Sequence, residues 1–383
     1  MIPYGRQDVS EADIEAVIAV LRSDFLTQGP VVPRFEAALA EAAGAPRAVA
    51  ANSATSALHV ACLALGIGPG DRLWTSPITF VATANVARLC GAEADFVDID
   101  PATALMDPDR LAAKLARAER AGRLPKIVAP VHLGGQSCDM AAIGALADRY
   151  GFHVLEDASH AVGGTEGGAP VGACPHSDVA VFSFHPVKIV TTAEGGVATT
   201  RNSEIAARME RLRTHGITRD PALMTHAPDG PWYYQQLELG LNYRMTELQA
   251  ALGLSQLDRL AAFVDRRNAL ADRYDAALAG LPLRPLARRK GARSAFHLYV
   301  VLLDEAARHR AVFEGLRDRG IGVNLHYIPV HLQPYWRALG FAPGDFPAAE
   351  DYYARAISLP LFPGLSEADQ DAVVAALAAE LGA

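Results

Sequence analysis

The 383-residue chain has only four cysteines, Cys62, Cys90, Cys138 and Cys174, set far apart with no C-x-x-C pair. That sparsity excludes a disulfide-held scaffold and makes a zinc centre unexpected, so no metal site is expected and buried free thiols in a reducing compartment are. No run of eighteen apolar residues occurs, which excludes an apolar helix spanning a bilayer. The opening residues, MIPYGRQDVSEAD, carry charge and no apolar core segment, so a cytoplasmic protein without a signal peptide or membrane partner is expected. A net charge of −8 without any basic block argues against nucleic acid as a partner. No G-x-G-x-x-G follows the first strand-like segment, which counts against a dinucleotide-dependent oxidoreductase; Gly66, Gly68 and Gly70 enclose Pro69 and read as a turn after a helix. No internal repeat or low-complexity linker is found.

What is present is apolar material: half of the residues are hydrophobic, enough for one large core and a smaller second domain. From Pro33 to Tyr150 helical and strand-like segments alternate with glycine punctuation, which predicts a mostly parallel sheet covered by helices. Three stretches carry the chemistry. The run Val179–Phe184 reads as a buried strand broken at Pro186, and Val197–Thr200 as a second strand after Gly195-Gly196, so Lys188 lies in a tight loop between them. Burial would favour its neutral amine and Schiff-base chemistry; alone, the residue reads first as a solvated loop lysine. His153–Asp157 reads as a strand ending in a carboxylate, at the end of an open α/β sheet where ligands bind. In Ala48–Gly66 the segment Asn52-Ser53-Ala54-Thr55-Ser56 leads into a helix, whose free N–H groups with the hydroxyls of Ser53, Thr55 and Ser56 suit a phosphate. Singly these are a loop lysine, a turn aspartate and an N-cap. Together they describe a pyridoxal phosphate site.

The wording NSATSALH, TFVATAN, EDASHA, FSFHPVK and NYRMTELQAALG resembles the DegT/StrS group of sugar aminotransferases, and the resemblance runs from Ile2 to the C-terminal helix. It implies an α/β fold of type I among enzymes dependent on pyridoxal 5'-phosphate, with a large sheet domain and a smaller C-terminal α/β domain. Within the group it points to the nucleotide-sugar 4-aminotransferases of pseudaminic acid biosynthesis. One departure is Ala193, where the group has glycine. The resemblance further implies that Lys188 binds the cofactor and moves protons, and that Asp157 keeps the pyridine nitrogen protonated. Phe80 would stack on the ring. His160 would lie beside it and hydrogen-bond Asp157 or the ring hydroxyl. Thr55, Ser56 and Ser183 would form the phosphate cup, with His185 structural or at the edge. His132 would lie near the site without a firm role. Asn242 would reach the phosphate of a neighbouring subunit, making the enzyme a homodimer. Substrate would meet Tyr4, the loop Leu26-Thr27-Gln28-Gly29 and the segment His326-Tyr327-Ile328-Pro329.

In chain order, Ser10 and Asp13 suggest a capping box before a helix carrying Ile14, Val17, Ile18 and Leu21. Thr246 should cap one long helix running toward Tyr274, followed by strands at Phe296–Leu303 and Val323–Ile328. The expected divisions are an N-terminal segment 1–30, a large domain 31–250, and a connecting helix with a small domain 251–383. The expected reaction moves an amino group from L-glutamate to the C4 keto group of a UDP-linked 4-keto-6-deoxy-N-acetylhexose, with ping-pong kinetics. Rivals are an aminotransferase for another nucleotide-linked keto sugar and a non-catalytic regulator on the same fold. Relatives that dehydrate sugars replace the lysine by histidine, so Lys188 argues against that chemistry.

Overall fold

A computed structural model describes residues 1–382. Seven strands form the main sheet: β1 (Arg47–Ala51), β2 (Arg72–Thr75), β3 (Glu93–Phe96), β4 (Ile127–Ala129), β5 (His153–Asp157), β6 (Val179–Ser183) and β7 (Gly196–Thr200). Their spatial order is β1-β7-β6-β5-β4-β2-β3. The pairs from β6 through β3 are parallel, and β7 runs antiparallel to both β6 and β1. The all-buried sequences VAVFS and GVATT suit central strands covered on both faces.

Helices α1 (Glu11–Leu21), α2 (Val31–Ala42), α3 (Ala54–Ala64), α4 (Ala82–Leu89), α5 (Pro108–Arg120), α6 (Met140–Tyr150) and α7 (Ser203–Leu212) precede or alternate with these strands. Alternation along β5 divides the core. Leu155 packs with Leu58 of α3 and Met209 of α7, whereas Val154 packs with Ile143 of α6 and Val300. Asp157 shares the parity of Leu155, so it ends its strand on the face that carries α3.

Two expectations fail beyond this sheet. The long helix is two helices, α8 (Glu247–Leu257) and α9 (Leu260–Ala277). No proline or glycine marks the break. Tertiary bonds do: the side chains of Ser255, Gln256 and Arg259 all converge on Asp13 of α1, at 2.6, 2.7 and 2.6 Å. Asp13 is buried while Ile14 and Leu21 are 42% and 58% exposed, so α1 is fastened by its carboxylate rather than by the apolar stripe its spacing suggested. The second failure is Val323–Ile328, which makes only the isolated bridge Asn324–Ser358 and then turns into the interior.

The C-terminal sheet is antiparallel, ordered β8 (Leu283–Pro285), β9 (Tyr299–Leu303) and β10 (Ala356–Leu359). Strand β9 begins three residues later than its apolar run suggested. Helices α10 (His309–Asp318), the short α11 (Pro334–Arg337), α12 (Pro347–Arg355) and α13 (Glu367–Leu381) accompany it. Among the described residues no helix is long and apolar enough to cross a membrane.

Candidate active site

Strand ends and helix starts enclose a cavity of about 920 Å³. Tyr4, Ser53, Thr55, Ser56, Phe80, Asp157, His160, Ser183, His185, Lys188, His326 and Tyr327 all line it, so one chain gathers most of the residues singled out in the sequence.

The loop after β6 turns at once, with the Lys188 N–H donating to the His185 carbonyl at 2.9 Å. Protein surrounds the Lys188 amine on the side away from the cavity, and burial lowers it to about 8 against the opposing pull of the Asp157 charge. The return into β7 is steric. A Cβ on Gly195 would lie 2.1 Å from Thr192 Oγ1, and one on Gly196 would lie 2.4 Å from the Ala54 nitrogen. Only glycine lets β7 pass directly beneath the start of α3. Ala193, the departure from the family wording, sits in the left-handed region at φ +65°, where glycine is at ease and alanine is strained.

Ser53 caps α3: its hydroxyl accepts the Ser56 N–H at 3.1 Å and lies 3.0 Å from the Ser56 hydroxyl. The N-cap and phosphate readings are therefore compatible, because Ala54 and Thr55, at the start of the helix, line the cavity and their N–H groups have no intrahelical acceptor.

Asp157 is 5% exposed and is held by two donors. The Ser159 N–H meets Oδ1 at 3.1 Å, and the Thr83 hydroxyl meets Oδ2 at 2.5 Å. Thr79 lies 2.9 Å from Thr83, forming a hydroxyl pair one helical turn apart at the start of α4. Sequence reading missed both, although the i, i+4 threonines in TFVAT were the available signal.

Of the two bonds expected of His160, the one to Asp157 is not made: the His160 Nδ1 accepts the Gly134 N–H at 3.2 Å, and its Nε2 lies 3.1 Å from the Tyr327 hydroxyl. An acceptor at Nδ1 forces the proton onto Nε2, so His160 donates to Tyr327. The reason is the glycine turn after β4, which brings a backbone N–H to the ring from the side away from Asp157. Burial, reinforced by the charge of Lys188, keeps His160 and the unanticipated His297 well below the ordinary histidine range, and lowers His326 to about 4. His297 has a buried Nδ1 with no partner, and its ring lies 4.5 Å from that of His160. Nothing in its sequence context, a strand-like apolar run, marked it.

Phe80 is 59% exposed at the cavity mouth, its ring 6.1 Å from that of Tyr327. Tyr4 stands 5.4 Å from His326. His132 is buried behind the site, 2.7 Å from Glu156 on the opposite face of β5. Leu26, Thr27, Gln28, Gly29, Asn242, Ile328 and Pro329 do not line the cavity. The 26–29 loop lies against the start of α8, where the Glu247 N–H donates to the Leu26 carbonyl at 3.0 Å and Thr27 bridges Thr246, whereas Asn242 bridges Thr214 just after α7.

Residues 7–378 match the DegT/DnrJ/EryC1/StrS aminotransferase family. The chain belongs to that family. Across 98% of its length this aminotransferase is 41% identical to the spore coat polysaccharide biosynthesis protein SpsC of Bacillus subtilis strain 168, of which it covers 96%. Among solved structures it is similar to Helicobacter pylori PseC, an aminotransferase involved in the biosynthesis of pseudoaminic acid, at 30% identity and a TM-score of 0.91, covering 100% of this chain and 99% of that one. It is similar also to the putative sugar aminotransferase Spr1654 of Streptococcus pneumoniae in its PLP-form, at 30% identity and a TM-score of 0.89, covering 100% and 98%. The aminotransferase thus shares the α/β fold of those enzymes, with its seven-stranded, mostly parallel sheet. Membership also removes the non-catalytic regulator as a reading.

Proposed function

We propose that this aminotransferase uses pyridoxal 5'-phosphate to transfer an amino group from L-glutamate to the keto carbon of a nucleotide-linked deoxysugar. The observation that carries the reading is a lysine with its amine lowered to about 8, lining the same cavity as a buried carboxylate and an open helix N-terminus. These residues fit the cofactor's three handles: an amine for the aldehyde, a carboxylate for the ring nitrogen, and free N–H groups with hydroxyls for the phosphate.

When bound, the cofactor supplies an electrophilic carbonyl carbon and an electron-accepting ring. Lys188 would hold that carbon through its amine and would serve as the base beside the donor's α-carbon, with a proton affinity suited to transfer near neutral pH. Asp157 would keep a proton on the ring nitrogen, its carboxylate aimed by Thr83 and the Ser159 N–H. Thr55, Ser56 and Ser183 would hold the phosphate, Phe80 would cover the ring, and His160 would orient the Tyr327 hydroxyl toward ligand. Tyr4, His326 and Tyr327 line the sugar's approach.

Neither Leu26–Gly29 nor Asn242 lines its own chain's cavity, which supports a homodimer in which each chain completes its partner's site. The similarity to PseC supports a UDP-linked 4-keto-6-deoxy-N-acetylhexose and the pseudaminic acid pathway; the higher identity to SpsC supports another nucleotide-linked keto sugar of polysaccharide synthesis. Incubation with glutamate and a panel of nucleotide-linked 4-keto sugars should release 2-oxoglutarate with one of them. Release with none, from enzyme that carries the visible cofactor band, would overturn the sugar assignment.

A further inference from the structure

A second pocket, of about 690 Å³, lies at the far edge of the main sheet, against edge strand β3 and between α4 and α5. Its wall carries five cations, Arg72, Arg88, Lys114, Arg117 and Arg123, against two carboxylates. In a chain of net charge −8 this is a local excess of three positive charges. Both carboxylates are already engaged: Glu93 pairs with Arg72 at 2.8 Å and lies 3.7 Å from Arg123, and Asp95 pairs with Lys114 at 2.6 Å.

Among the described residues, Arg88 and Arg117 have no carboxylate within ion-pair distance. Arg88 spends Nη1 on the Ala92 carbonyl at 2.9 Å, and its buried Nε has no partner. Trp74, 2% exposed and also lining the pocket, has an unpartnered Nε1 as well. Lys114 sits 4.7 Å over the Trp74 ring, its amine lowered by burial, with Arg117 adding repulsion. The cluster therefore holds five like charges against two carboxylates, with Arg88 and Arg117 outside those pairs.

We propose that this pocket is a second anion site that takes a diphosphate group. Guanidinium forks match phosphate oxygens in pairs, and three excess positive charges complement the charge of a diphosphate near neutral pH. The volume exceeds that of a bare diphosphate, and the Phe341 ring in the wall offers a face for a nucleoside base. The site is separate from the Lys188 cavity and does not depend on its assignment. Helix α4 spans the two, with Thr83 of its first turn at one and Arg88 of its last turn at the other.

Titration calorimetry of the purified enzyme with inorganic pyrophosphate and, separately, ADP tests the proposal. One saturable pyrophosphate site per chain is expected, weakened at least about tenfold in Arg88→Gln/Arg117→Gln. The doublet Arg117→Gln/Arg123→Gln alters only exposed side chains and should weaken it likewise without disturbing the fold. Tighter binding of ADP than of pyrophosphate, lost in both doublets, assigns the site to nucleotides; equal affinity assigns it to free pyrophosphate. No saturable binding in the wild type, or binding that survives both doublets unchanged, overturns it.

Discussion

Lys188 shows the conflict between stability and reactivity in a single side chain. Its amine titrates near 8 in the folded protein and near 10.5 in the unfolded chain, so the folded state disfavours the charged form. The sign follows: below pH 8 the whole penalty is present, and it fades as pH rises from about 8 to above 10.5. A shift of that size is worth roughly 2–3 kcal/mol once cavity water is allowed for. Lys188→Met should therefore raise the cofactor-free protein's stability by about that amount at pH 7 while abolishing turnover and the visible cofactor band; urea unfolding at pH 7 and pH 10 checks this, the gain shrinking at the higher pH. Thr83 acts through Asp157. Thr83→Val keeps the shape and deletes the donor at 2.5 Å, a hydrogen bond to charge worth about 1.5–3 kcal/mol. A rise of roughly tenfold or more in the cofactor dissociation constant is expected, with Thr83→Ser restoring most of it; unchanged affinity would show that Thr83 does not position the carboxylate.

At the scale of elements, the break between α8 and α9 has one organiser. Asp13 accepts the Ser10 N–H and three side-chain donors that flank the break, Ser255 and Gln256 at the end of α8 and Arg259 at the start of α9. Burial would raise its carboxyl, but these bonds and the Arg259 charge outweigh it and hold the group below its usual value. Removing one partner of a buried pair leaves the others unsatisfied, so Asp13→Ala should cost about 3–5 kcal/mol, read from chemical denaturation. The contribution of Asp13 is present above the carboxylate range and lost as pH falls through its lowered value, so the gap between wild type and variant should close in acid. The same region carries the 26–29 loop, so turnover should fall with stability.

For the whole molecule the decisive question is whether a site needs two chains. If Asn242 serves the neighbouring cavity, a dimer mixed from Lys188→Ala and Asn242→Ala chains has one fully intact site. Random mixing of these two inactive variants should restore about a quarter of wild-type activity, measured after brief dissociation and reassociation. No recovery in a sample shown to contain mixed dimers would mean that Asn242 acts within its own chain or not at all.

The sequence by itself determined the local grammar: alternating apolar segments dictated a helix-covered parallel sheet, Pro186 and the paired glycines placed Lys188 in a turn, and the polar NSATS start capped a helix. Those features are set by nearest neighbours and period, which a linear reading can see. Tertiary structure alone decided that His160 points to Gly134 and Tyr327 rather than Asp157, that Thr83 holds the carboxylate, that His297 enters the cavity, and that an apparently continuous helix breaks over Asp13. Each of these joins residues far apart in the chain or chooses one among several acceptors within reach. Such choices depend on burial and on which polar partner is free, quantities that exist only once the elements have packed.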